Sequence, residues 1–126
     1  MLRKGGRQRR NGNDADLPWI YGAAIRAASG EETAARATAA AIGAHREGSA
    51  GGTSRRELMV AAVRSALADS PSEPLARLPV DEREAIGLVR ILGLDVDEVA
   101  TVLQREVREV KVLMRTGLTR LSMVSV

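Results

Sequence analysis

The chain has 126 residues, which suffice for one domain or two very small ones, and a formal net charge of +3. It contains no cysteine and one histidine, His45, which argues against a disulfide framework, a thiol nucleophile, a zinc hydrolase and a histidine-based catalytic triad. We therefore expect a protein that is not an enzyme and that needs no cofactor or metal ion.

The apolar residues are mostly Ala, Val and Leu, and they lie in runs of helix-forming residues bounded by glycine. This composition predicts an all-α fold. No apolar run approaches the roughly 18 residues of a membrane span, and the basic start of the chain lacks the apolar segment of a signal peptide. We expect a cytoplasmic protein with no membrane partner.

Residues 1–16 are polar, rich in glycine and basic, and they predict a disordered basic arm. Arms of this kind bind nucleic acid about as often as they serve only as solubilising tails. If this arm contacts DNA, the residues that we expect to do so are Arg7, Arg9 and Arg10.

Residues 17–69 predict a small helical region of three helices. The first begins near Pro18, since proline is tolerated in the first turn of a helix. The second and third follow capping-box patterns that start at Ser29 and Ser54. A glycine-rich loop over residues 43–53 separates these two helices.

Residues 70–126 predict a helix-turn-helix domain, in which the second helix of the pair lies in a DNA major groove. Asp81 and Asp95 each precede a glutamate by three residues, which is typical of a helix start, and Gly93 suits a left-handed helix end. Apolar residues recur at helical spacing through three helices, the last of which begins at Val107.

Basic residues lie on the predicted exposed side of this last helix. At about 100° per residue, Arg108, Lys111 and Arg115 fall away from its apolar side, and Arg105 precedes it. A basic stripe attracts phosphate groups. The same residues would equally suit a solvated helix face whose ion pairs are each worth a few tenths of a kcal/mol. The three-helix spacing favours DNA binding through Arg105, Arg108, Lys111 and Arg115.

A series of short motifs runs through residues 75–121. It reads Leu-x-x-Leu-Pro, Arg-Glu-Ala, Gly-Leu, Glu-Val-Ala-x-x-Leu and Val-Lys, and is carried by Leu75, Leu78, Pro79, Arg83, Glu84, Ala85, Gly93, Leu94, Glu98, Val99, Ala100, Leu103, Val110 and Lys111. This stretch resembles region 4 of the bacterial sigma-70 family of RNA polymerase sigma factors, especially the extracytoplasmic-function group. The resemblance implies a DNA-binding helix-turn-helix that also contacts the flap of the polymerase β-subunit.

The stretch departs from the family pattern around its last helix. Before the Val-Lys pair the family usually has Gly, a small hydroxyl residue and a Gly-Thr pair, where residues 104–109 here are mostly charged. A following Ser-Arg and a later Arg-Ala are replaced by Val112-Leu113 and Thr116-Gly117. The resemblance therefore implies the scaffold, but not the family's details of phosphate and base contact.

Residues 17–69 are more distantly similar to region 2 of the same family, through a Trp-initiated helix, a Gly-Glu-Glu turn and an Ala-rich helix. Region 2 opens promoter DNA by capturing bases in aromatic pockets, whereas Trp19 and Tyr21 are the only aromatic residues of this chain. We therefore do not expect promoter melting.

Two functional hypotheses follow. The first is a DNA-binding transcription factor that resembles a reduced extracytoplasmic-function sigma factor and acts on double-stranded promoter DNA with RNA polymerase. An anti-sigma factor or another regulatory protein would be a further partner. The second is a sigma-like interaction module that binds RNA polymerase or another regulator without reading promoter DNA. Glu106, Glu109, Val112 and Leu113 favour the second, because the family is small or basic at these positions.

Overall fold

The chain is helical throughout the part that the structure describes. The computed structural model describes residues 3–48 and 54–124, with side chains over 15–45 and 54–123. No strand occurs among these residues, and an isolated bridge pairs Ala28 with Pro71. The elements in chain order are α1 (Arg3–Ala27), α2 (Glu31–Gly48), α3 (Arg55–Asp69), a 3-10 turn (Leu75–Arg77), α4 (Val80–Leu92), α5 (Val96–Leu103) and α6 (Val107–Val124). The predicted all-α fold is confirmed.

Helix α1 begins well before its predicted start. Its backbone is helical from Arg3, within the segment predicted as a disordered arm, and Pro18 lies inside the helix rather than at its beginning. Each residue added to an existing helix gains one backbone hydrogen bond, which acts against the poor helix propensity of the glycines in this segment. The side chains of Arg7, Arg9 and Arg10 lie outside the described residues, so their contact with DNA stays a prediction.

Helices α1, α2 and α3 form an N-terminal bundle that packs through small side chains. Alanine dominates the contact surfaces, so the helix axes can approach closely. The larger fully buried side chains in this bundle are Ile20, Leu58, Val63 and Leu67. The buried alanines are Ala23, Ala24, Ala27, Ala28, Ala34, Ala37, Ala41, Ala62 and Ala66.

Two predicted capping boxes are present. The Ser54 hydroxyl accepts a hydrogen bond from the Glu57 backbone N–H, and the Glu57 carboxylate accepts one from the Ser54 N–H, both at 3.1 Å. Asp95 and Glu98 form the same pair of bonds at the start of α5, at 2.8 and 2.9 Å. Gly93 ends α4 in the predicted left-handed conformation, with φ 69°.

Two other predicted helix starts differ from the structure. Helix α4 begins at Val80, directly after Pro79, so Asp81 lies in the first turn and does not cap it. An acid in the first turn still interacts favourably with the helix dipole. The Ser29 hydroxyl, which was predicted to cap α2, lies 2.7 Å from the Ser70 hydroxyl, because the ends of α1 and α3 meet there.

The N-terminal bundle and the helix-turn-helix share one continuous hydrophobic core. Leu67 of α3 packs so closely on Gly87 of α4 that a Cβ at Gly87 would lie 2.7 Å from the Leu67 Cδ1. Arg64 of α3 donates to the Glu84 carboxylate at 2.8 Å. These contacts hold α3 against α4, while the proposed division into domains at residue 70 stays a prediction.

Candidate nucleic-acid interface

A tight turn separates α5 from α6. Gln104 adopts a left-handed conformation there, with φ 56° and ψ 48°. The backbone N–H of Arg105 donates to the Ala100 carbonyl at 3.0 Å, which closes the end of α5. Residues 104–106 thus form the short turn between two helices that the helix-turn-helix prediction requires.

One side of α6 is fixed against α4. Val110 is fully buried and Leu121 is 7% exposed, which places this side in the core. Gly117 is also buried, and the Ile86 side chain fills the space that a side chain at position 117 would need. A helix whose core side is fixed in this way presents its opposite side to solvent.

That opposite side carries the predicted cations. At about 100° per residue, Arg108, Lys111 and Arg115 lie roughly 160°, 100° and 140° around the helix from Val110. All three side chains are exposed, and none forms an ion pair with the residues that the structure describes. We call these three residues the cationic face. The absence of a local acidic partner leaves their charge available to phosphate groups.

Arg105 belongs to a different environment. Its guanidinium forms an ion pair with Asp81 of α4 at 2.8 Å and lies 4.0 Å from the Glu109 carboxylate. Only 35% of the side chain is exposed. If Arg105 contacts DNA, it must first exchange the ion pair with Asp81 for a phosphate. The structure therefore separates Arg105 from the cationic face, and its DNA contact stays a prediction.

Two acidic residues, Glu106 and Glu109, lie at the start of α6, and Glu109 helps to cap the helix. The Glu109 carboxylate accepts a hydrogen bond from the Glu106 backbone N–H at 3.0 Å, which satisfies one of the free donors of the first turn. Both acids are exposed, so they reduce the positive potential beside Arg108. The positive charge of the cationic face is therefore local, since residues 53–126 carry 11 acidic and 11 basic residues.

The side chains of Glu82 and Arg83 hold α4 against its neighbours through contacts that the local sequence pattern did not predict. The Glu82 carboxylate, on a residue only 7% exposed, accepts hydrogen bonds from Thr116 at 3.1 Å and from Arg120 at 2.8 Å, and so joins α4 to α6. Arg83 donates to the carbonyl of Leu67 at 3.1 Å, and thus joins α4 to α3. These partners are 16 to 38 residues away in sequence, so helical periodicity gives no signal for them.

The aromatic residues of the N-terminal bundle do not form a base-stacking surface in the described residues. The Trp19 side chain is 55% exposed, but the Arg55 guanidinium lies over its ring at 4.8 Å from the centroid. Arg55 is held there by an ion pair with Asp16 at 2.9 Å. Tyr21 is half-buried. The expectation that the chain does not melt promoters stays a prediction.

The C-terminal half matches a known family. Residues 74–121, which include the 3-10 turn, α4, α5 and most of α6, match the family model for sigma-70, region 4. Residues 74–121 are a sigma-70 region 4 domain. The match covers less than half of the 126-residue chain. Comparisons with curated proteins and with solved structures gave no match.

The region 4 domain confirms the resemblance that the motifs indicated. Sigma-70 region 4 is a non-enzymatic domain of transcription factors, and it implies interaction with DNA and RNA polymerase. Within the described residues no helix is long and apolar enough to cross a membrane. The same residues contain no group of three or more His, Asp or Glu side chains that could hold a metal ion.

Proposed function

We propose that this protein is a DNA-binding transcription factor that acts in the cytoplasm, at promoters, together with RNA polymerase. Helix α6 would enter the major groove of double-stranded DNA, with Arg108, Lys111 and Arg115 on phosphates or guanine edges. The observation that supports this most strongly is the cationic face itself. Three exposed cations without acidic partners among the described residues lie on the α6 side that points away from α4.

Other predicted contacts extend this proposal. The arm residues Arg7, Arg9 and Arg10 would reach neighbouring phosphates, and Arg105 would do so after leaving Asp81. The resemblance to sigma factors makes the flap of the polymerase β-subunit a proposed partner, and an anti-sigma factor or another regulator a further one. Promoter melting is not part of the proposal, because the chain has two aromatic residues and the Arg55 guanidinium already lies over the ring of one of them, Trp19.

The affinity for duplex DNA tests the proposal at the cationic face. We expect Lys111→Ala to weaken duplex binding roughly three- to tenfold, and Arg115→Glu to weaken it more, because charge reversal adds repulsion from phosphate. Arg26→Ala is the matched control: it also removes one exposed cation without an ion pair in the described residues, but on α1. Fluorescence anisotropy with a labelled pool of random duplexes measures all three. Equal affinities for the wild type and the α6 variants would contradict the proposal.

The alternative is a sigma-like module that binds RNA polymerase or another regulator without reading DNA. It is favoured by the ion pair that holds Arg105 on Asp81 and by the exposed acids Glu106 and Glu109. Gel filtration with and without duplex, followed by pull-down with core polymerase, separates the two functions. Tight polymerase binding together with no duplex affinity would support the alternative.

A further inference from the structure

Val112 is an apolar side chain within the charged surface of α6. It is 48% exposed, although its neighbour Leu113 is half-buried and packs against the core. On the helix surface Arg108 at i−4 and Arg115 at i+3 are its nearest neighbours along the cationic face. A single exposed valine is common on protein surfaces, but this one lies between two cations and is open to a partner group of matching chemistry.

The position of Val112 within α6 restricts what that partner can be. It is the sixth residue of the helix, in the N-terminal half, and this is the half of a recognition helix that faces base edges. The cations on either side of it attract phosphate groups and therefore favour a nucleic acid over an apolar protein surface. In the major groove, the one apolar group that a base presents is the C5 methyl group of thymine.

We propose that Val112 reads a thymine methyl group in the duplex that α6 binds. Arg108 and Arg115 hold the helix on the two sides of that contact, and Val112 gives the sequence preference. This inference rests on the proposed DNA-binding function and adds the chemical identity of one base to it. A contact with a thymine methyl group would also explain why Val112 stands where sigma-70 region 4 usually has a serine after Val-Lys.

Replacing thymine by deoxyuridine removes the methyl group and leaves the hydrogen-bonding edges of the base pair unchanged. The probe is the duplex that the wild-type protein selects most strongly from a pool of random duplexes, resynthesised with each thymine replaced in turn. At one position we expect the affinity to fall about fourfold, since burying one methyl group is worth ~0.8 kcal/mol. Val112→Ala should bind the thymine duplex about fourfold more weakly and should no longer distinguish uracil from thymine at that position.

Leu118→Ala is the matched control for this experiment. Leu118 is also 48% exposed on α6, but it lies in the C-terminal half of the helix. We expect this variant to keep both the affinity and the preference for thymine. Val112→Ala itself should fold normally, because alanine is the better helix former at an exposed position.

The outcomes distinguish this inference from the function on which it rests. A selected duplex without thymine, unchanged affinity at every uracil, or a Val112→Ala variant that still prefers thymine would overturn the inference. If Lys111→Ala still weakens binding in that case, the DNA-binding function stands. Selection of no duplex would overturn both. Weaker polymerase binding by Val112→Ala with unchanged duplex binding would assign Val112 to a protein contact instead.

Discussion

At the scale of single residues, Gln104 shows how this chain departs from its family at a structural cost. The family usually has glycine at this position, and the structure keeps the left-handed backbone that glycine favours, with φ 56°. A side chain in this conformation costs about 1–2 kcal/mol. The replacement of glycine by Gln104 therefore adds backbone strain, but the turn between α5 and α6 is kept.

We expect Gln104→Gly to stabilise the protein by about 1 kcal/mol, as the relief of strain exceeds the extra entropy of the unfolded glycine chain. Gln104→Ala keeps the strain and should give no such gain. Urea unfolding followed by circular dichroism measures both variants. Equal stabilities for the glycine and alanine variants would show that the turn is unstrained.

Arg83 is a second residue whose side chain holds the fold together outside the cationic face. Besides Leu67, its guanidinium donates to the carbonyls of Leu75 at 3.3 Å, Ala76 at 3.4 Å and Leu78 at 3.0 Å. It thus satisfies backbone acceptors at the end of α3 and throughout the 3-10 turn. Arginine can serve several acceptors in one plane, which a lysine ammonium cannot.

We expect Arg83→Ala to lower the free energy of unfolding by about 2–4 kcal/mol, because four part-buried carbonyls lose a charged donor. Arg83→Lys should recover less than half of this decrease, since its single ammonium group reaches fewer carbonyls. Thermal unfolding at fixed pH provides the measurement. Full recovery by lysine would mean that charge, rather than the hydrogen-bond geometry, is what the site needs.

At the scale of elements, the packing of α4 on α6 sets the orientation of the cationic face. Gly117 of α6 lies directly against the Ile86 side chain of α4. A methyl group at this position has no space unless the buried Ile86 moves. The close approach therefore fixes which residues of α6 face outward.

We expect Gly117→Ala to destabilise the protein by about 1–3 kcal/mol, despite the better helix propensity of alanine. Gly43→Ala is the control, since a Cβ at that glycine of α2 meets no atom within 4 Å. Chemical denaturation of both variants tests this. A stabilised Gly117→Ala variant would contradict the close packing of α6 on α4.

The elements themselves were largely predictable from the sequence, because helix formation leaves a local signal. Apolar periodicity and capping patterns predicted α3, α5 and the start of α6, and Gly93 predicted the end of α4. Two misses are local: α1 begins at Arg3 and α2 continues to Gly48, although the glycine-rich composition of residues 1–16 and 43–53 predicted an arm and a loop there. The other misses concern contacts between residues that are far apart in sequence. Helix α4 begins after Pro79 and is not capped by Asp81. Asp81 instead pairs with Arg105, 24 residues later in the sequence, and this ion pair separates Arg105 from the cationic face.

At the scale of the whole molecule, the N-terminal bundle and the region 4 domain behave as one packed unit in the structure. Leu67 is fully buried where the two meet. The sequence suggested two small regions, because composition and linkers show boundaries but not the packing across them. Each part alone would bury a modest core, which explains why the two share one.

We expect Leu67→Ala to destabilise the protein by about 2–5 kcal/mol and the wild type to unfold in a single transition. The fluorescence of Trp19, the only tryptophan, reports on the N-terminal bundle, and far-ultraviolet circular dichroism reports on all helices. The two unfolding curves should coincide in urea. A circular dichroism transition that follows the fluorescence transition would show that the region 4 domain folds independently.

The central claim is that the cationic face of α6 meets the phosphates of a duplex, and the salt dependence of binding tests it most directly. The slope of log K against log salt concentration becomes shallower by about 0.9 for each phosphate that the protein no longer neutralises. For the triple variant Arg108→Ala, Lys111→Ala, Arg115→Ala we therefore predict a slope smaller in magnitude than that of the wild type by about 2–3 units, while Arg26→Ala keeps the wild-type slope. A triple variant with the wild-type slope would contradict the claim.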